Sequence, residues 1–100
     1  MTIQKVKENN KTILKLDGWL DTQAAPVLDA QIQALEPTEE IILDFEKVEY
    51  IASAGLREVV VCHKRAKELN ADLSIIHLSA EVMSVFKLTG LDKKLNLSAK

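Results

Sequence analysis

This sequence is poor in the residues that would make it a scaffold of loops. It has only three glycines and two prolines, too few for a disordered or turn-dominated chain. A single cysteine, Cys62, excludes an internal disulfide and leaves nothing for a cysteine-built metal site. Aromatics are scarce at 4%, with one Trp, one Tyr and two Phe. Neither sign of charge dominates: 13 basic against 15 acidic residues give a net charge of −2, with no basic block. Direct nucleic-acid binding is therefore not expected. No apolar run approaches the roughly 20 residues needed to span a bilayer, so no membrane insertion is expected. The opening MTIQKVKENNK has no apolar core of the signal-peptide kind, and cytoplasm is the expected compartment.

What is present is 47% hydrophobic and 28% charged residues in a chain of 100, enough for one small domain over residues 1–100. The patterning has a clear order. Residues 2–8 suit an edge strand, Asn9-Asn10 a hairpin turn, and residues 11–17 an alternating strand. In the latter, Leu14 and Leu16 share a side with Leu20, while Lys15 and Asp17 share the other with Trp19. A helix is predicted from about Thr22 to Leu35, with Ala25, Leu28, Ile32 and Leu35 as its apolar stripe. Asp21 or Thr22 can cap it, and Pro26 must sit in or near the first turn. Residues 39–45, EEIILDF, read as a buried strand.

The second helix follows Ser53 and stops at Asn70. Its apolar face is predicted as Leu56, Val59, Val60, His63, Ala66 and Leu69, with Glu58 among the residues on the outer side. Residues 72–78 form a strand. Ser79 caps a short helix carrying Val82, Val85 and Phe86, which Gly90 closes. Residues 94–98 either add a last strand or trail off. Strands alternating with helices predict an α/β fold, a mixed and mostly parallel sheet of four to five strands. Two strand exits then share one edge, which brings Trp19–Asp21 beside Ile51–Ser53. Sites on such sheets favour that edge.

At that edge stands ASAG, residues 52–55. Ser53 can be a helix N-cap, stabilising by about 1 kcal/mol. It can also be a modification site, because Ala52, Ala54 and Gly55 remove bulk around a hydroxyl placed where helix N–H groups favour phosphate. Catalysis fits less well. There is no G-x-S-x-G elbow, and His63 lies ten residues along the same helix, about 15 Å away by helical rise. Trp19 can pack against the first strand or stand exposed as a docking anchor. Asp44 can steady the loop that presents Ser53 or simply end its strand in solvent. His63 and His77 read as structural, and Cys62 as a small apolar filler.

The stretch D-F-E-K-V-E-Y-I-A-S-A-G-L-R, residues 44–57, resembles the signature of STAS domains of the bacterial anti-sigma factor antagonist group. G-W-L-D at 18–21 is similar to the family's Gly-x-Leu-Asp stretch. L-S-A-E-V-M-S-V-F-K-L-T-G-L at 78–91 is similar to its third helix and that helix's ending. The resemblance covers nearly the whole chain in register. It implies a small α/β domain with helices on one side of a mixed sheet, no cofactor, and a function in binding rather than catalysis. The partner it implies is an anti-sigma factor that is also a serine kinase, bound by the unphosphorylated antagonist so that the sigma factor is released. It implies Ser53 as the phosphoacceptor and a PP2C-type phosphatase as the enzyme that restores it. Contacts for the partner are then expected from Trp19, Asp21, Ile51, Ala52, Ala54, Gly55 and Leu56, with Asp44 in support. Members often carry Asp before the acceptor and Ser or Thr after it, where this chain has Ala52 and Ala54. A second role on the same fold, a STAS interaction subunit of a transport or sensory complex that is never phosphorylated, stays open.

Overall fold

The computed structural model describes residues 1–100. Five strands form one sheet in the order of the chain: β1 (Thr2–Glu8), β2 (Lys11–Leu20), β3 (Glu40–Ile51), β4 (Asp72–Leu78) and β5 (Asn96–Ala99). Only β1 and β2 are antiparallel, joined through Asn9 at φ 53°. The other neighbours are parallel, joined by α1 (Ala25–Gln33), α2 (Ser53–Glu68) and α3 (Ala80–Thr89). Each crossover steps one strand in the same direction. Right-handed crossovers then put all three helices on one face and leave the other uncovered. The expected architecture is the one found, and residues 96–99 complete the sheet as a fifth strand.

The covered face supplies the core. Leu14, Leu16 and Leu20 of β2, with Ile41, Leu43, Phe45, Val48 and Ile51 of β3, are buried under Leu28 and Ile32, Val59 and Cys62, and Val82 and Phe86 from the three helices. Phe45 and Phe86 meet as tilted rings 6.3 Å apart. No helix is long and apolar enough to cross a membrane.

Besides β2, which runs on to Leu20 instead of ending at residue 17, three elements differ from the sequence reading. The first is β3, which continues to Ile51 instead of ending at Phe45. Two irregularities in its pairing with β2, between Lys15 and Asp17 and between Gly18 and Trp19, each place one extra residue on β3. They return Val48 and Ile51 to the core at three-residue spacing after Phe45, a period that does not look like a strand. The second is α1, which starts at Ala25, not Thr22. Residues 22–24 form a turn first, with the Asp21 carboxylate accepting from Gln23 N–H at 3.1 Å and Ala24 N–H at 2.9 Å. The third is α2, whose buried face is rotated: Gly55, Glu58, Val59, Cys62 and Ala66 lie inward. Leu56, Val60 and His63 are only half-buried, and Glu58 is no surface residue.

Candidate functional site

β2 and β3 outrun their neighbours. β4 pairs with β3 only as far as Asp44, and β1 with β2 only as far as Asp17. The last residues of β2 and β3 therefore project as a two-stranded tip, on which Trp19 pairs with Tyr50 and Leu20 with Ile51. Ala52 N–H donates to the Leu20 carbonyl at 3.0 Å and ties the start of α2 to the end of β2. Asp21 follows the end of β2 and Ser53 starts α2 just beyond the end of β3, so both lie at the same end of the sheet, as the order of elements predicts.

Ser53 is not the N-cap of α2. Ala52 holds that position with extended dihedrals, φ −95° and ψ 172°, and no side chain caps the helix. Ser53 is the first helical residue; it is exposed, and its hydroxyl makes no capping bond. The first-turn N–H groups consequently lack a side-chain acceptor and no acid occupies that turn, which leaves the positive end of the helix unneutralised. Ala54 and Leu56 are half-buried beside it.

Two expected contact residues face inward. Ile51 is only 4% exposed, and Gly55 is buried. A Cβ on Gly55 would lie 2.3 Å from the Leu20 carbonyl oxygen, 2.8 Å from Leu20 Cγ and 2.9 Å from Ile51 Cγ1. Gly55 thus makes room for the protein's own strand ends, not for a visiting molecule. The close seat of α2 on Leu20 and Ile51 is what pushes Ser53 outward.

Trp19 does not pack against β1. It is 59% exposed and stands edge-on to Tyr50, itself 50% exposed, with ring centroids 5.5 Å apart. The pair sits on the uncovered face at the point where no third strand flanks the tip. Tyr50 carries no signal of this role in the sequence alone. Its signal is tertiary, since it becomes Trp19's partner only through the second irregularity in the β2–β3 register. Asp21, half-exposed, spends one carboxylate oxygen on the turn that leads into α1.

Asp44 does not brace the Ser53 loop. Its Oδ1 accepts from Glu46 N–H at 3.0 Å and lies 3.0 Å from His77 Nδ1, in the middle of β3 where β4 departs. His77 takes φ 61° there, and residue spacing alone holds no hint of its partners. Asp44, Glu46 and His77 form a group with metal-ligand chemistry, their donor atoms all within 4.8 Å of one another. Lys15 and Lys47 line the same shallow groove of about 310 Å³ as the carboxylates of Asp17, Asp44 and Glu46, and offset part of the charge a cation would need. Cys62, fully buried, has its thiol pushed well above the ordinary range by burial and by the nearby Glu58 and Asp29 carboxyls, so it is inert filler.

The structure thus presents a solvent-facing serine at an uncapped helix start, on the carboxyl edge of a one-sided α/β sheet. Known proteins share that fold class. A family model described as "Mlab, STAS domain" matches residues 3–97, and the chain belongs to the STAS domain family. It is similar to the anti-sigma-B factor antagonist of Bacillus subtilis, 31% identical over 97 residues that span 95% of this chain and 89% of that protein. Among solved structures it matches an anti-sigma factor antagonist from Mycobacterium paratuberculosis with a TM-score of 0.88 at 21% identity, over 99% of this chain and 86% of the other. It also matches the Bacillus cell fate determinant SpoIIAA in its phosphorylated form, with a TM-score of 0.74 at 19% identity, over 99% and 93% of the two chains.

Proposed function

We propose that this protein is an anti-sigma factor antagonist whose binding edge is switched by phosphorylation of Ser53. The observation that carries the reading is the free hydroxyl of Ser53, exposed at the uncapped start of α2 and used by nothing in its own fold. Unphosphorylated, the edge formed by Ser53, Ala52, Ala54, Leu56, Asp21 and Trp19 binds an anti-sigma factor with serine kinase activity, and the sigma factor is set free. Ile51 and Gly55 shape that edge from beneath.

The kinase transfers the γ-phosphoryl group of ATP to Ser53 Oγ, which loses its proton, and ADP leaves. The new group carries about −1.5 to −2 charges. The domain itself tolerates it, because the phosphate sits on a helix N-terminus whose N–H groups lack an acceptor. A partner surface shaped around a neutral hydroxyl does not, since the charge must be desolvated to be covered. A PP2C-type phosphatase reverses the step. That a protein of this fold exists in a phosphorylated form supports the reading.

The test is intact-mass analysis after incubation with the cognate kinase and ATP. One phosphate is expected on the wild type and none on Ser53→Ala. The replacement of the usual preceding acid by Ala52 favours a second role, an interaction subunit of a transport or sensory complex that is never phosphorylated. No added mass together with co-purification of transport components would select it.

A further inference from the structure

Helices α1 and α2 meet along a seam that holds two carboxyls and no cation between them. Glu58, in the second turn of α2, is only 8% exposed, and its Oε2 is fully covered without a hydrogen-bond partner. None of the ion pairs in the molecule includes it. From α1 the group that faces it is Asp29; on α2 it is Cys62, one turn further on. Arg57, next to it in sequence, is exposed. Arg65, the basic residue further along the seam, is spent elsewhere: it donates to the Ile32 and Leu35 carbonyls at the end of α1 and pairs with Glu68, each at 3.4 Å. The core residues of β3 beneath α2 are apolar. A buried carboxylate in these surroundings has no compensation, whereas a neutral carboxyl has a donor to give.

The geometry points to one proton shared between Glu58 and Asp29, which makes the α1–α2 seam a pH-sensitive clamp. With the proton present, Glu58 donates to Asp29 and the orphaned oxygen is satisfied. Asp29 is held ready as acceptor by Gln33, whose amide donates to Asp29 Oδ1 at 3.3 Å. Without the proton, two carboxylates face each other across the seam and the helices are pushed apart. Burial, then the hydrogen bond to Asp29 and its charge, push Glu58 from an ordinary 4.5 up to about 7. The folded chain therefore binds more protons than the unfolded chain between those two values. Stability falls as pH rises through that window, by at most about tenfold in the folding constant per pH unit, and levels off above it. Since α1 and α2 both start at the β2–β3 tip, an open clamp would also alter the spacing of Asp21 and Ser53.

The test is a carboxyl-detected NMR titration of Glu58, run beside urea unfolding between pH 5 and 8. Glu58 is expected to titrate near 7 in the wild type, with Asp29→Asn lowering the midpoint by about one unit. Glu58→Gln, which keeps a donor for Asp29 and should fold, is expected to remove most of the stability loss between pH 5 and 8. A midpoint in the usual carboxylate range, a midpoint that Asp29→Asn leaves unmoved, or an equal pH slope in Glu58→Gln would each overturn the shared proton.

Discussion

Two helices of this domain begin with the same Ser-Ala pair and use it differently. At α3, Ser79 is the N-cap. Its Oγ accepts from Val82 N–H at 3.2 Å, Glu81 adds an acid to the first turn, and Val82 at the third helical position is fully buried. At α2 the pair is shifted by one residue, so the cap falls to Ala52, the serine moves to the first helical position, and the third position is Gly55. One serine is consumed by its own helix. The other caps nothing and stands exposed. The shift is enforced by packing, because α2 must start against Leu20 and Ile51, where only glycine fits. An exposed hydroxyl with no bond in its own fold is thus made by denying the helix its ordinary cap.

The largest effect should come from closing that gap. Gly55→Val would drive a side chain into the Leu20 carbonyl and is expected to cost about 3 kcal/mol or to prevent folding, read by urea denaturation. Next comes Ser53→Asp, expected to weaken binding of the anti-sigma partner at least tenfold, about 1.4 kcal/mol, by calorimetric titration, while changing stability by no more than about 0.5 kcal/mol. Ser79→Ala should cost about 1 kcal/mol of stability and Ser53→Ala almost none; equal losses at the two serines would erase the contrast. The smallest change is a gain: Ala52→Asp, at a position already extended, should install the missing cap and add up to about 1 kcal/mol in the same assay.

Most of the framework could be read from residue order. The alternation of β2, the Ser79 and Gly90 boundaries of α3, and the apolar runs of β3 and β4 are local signals, and each element lies where those signals put it. The far half of β3 was hidden because its two irregularities bury Phe45, Val48 and Ile51 at a period of three, which mimics a loop or a helix more than a strand. Glu58 was hidden because a charged residue next to Arg57 reads as surface, and only the rotated buried face of α2 turns it inward. At the carboxyl edge of the sheet, Ser53 and Asp21 could be placed from topology alone. The inward roles of Gly55 and Ile51 could not, since both depend on where the end of β2 lies. Nor could the Trp19–Tyr50 pair, which depends on register.

Calorimetry on stoichiometrically phosphorylated protein, with the melting temperature recorded on the same sample, probes the account at its root. A collapse of affinity for the cognate anti-sigma factor with the melting temperature unmoved is the predicted outcome. Undiminished affinity, or a melting temperature that drops in step with binding, would contradict it.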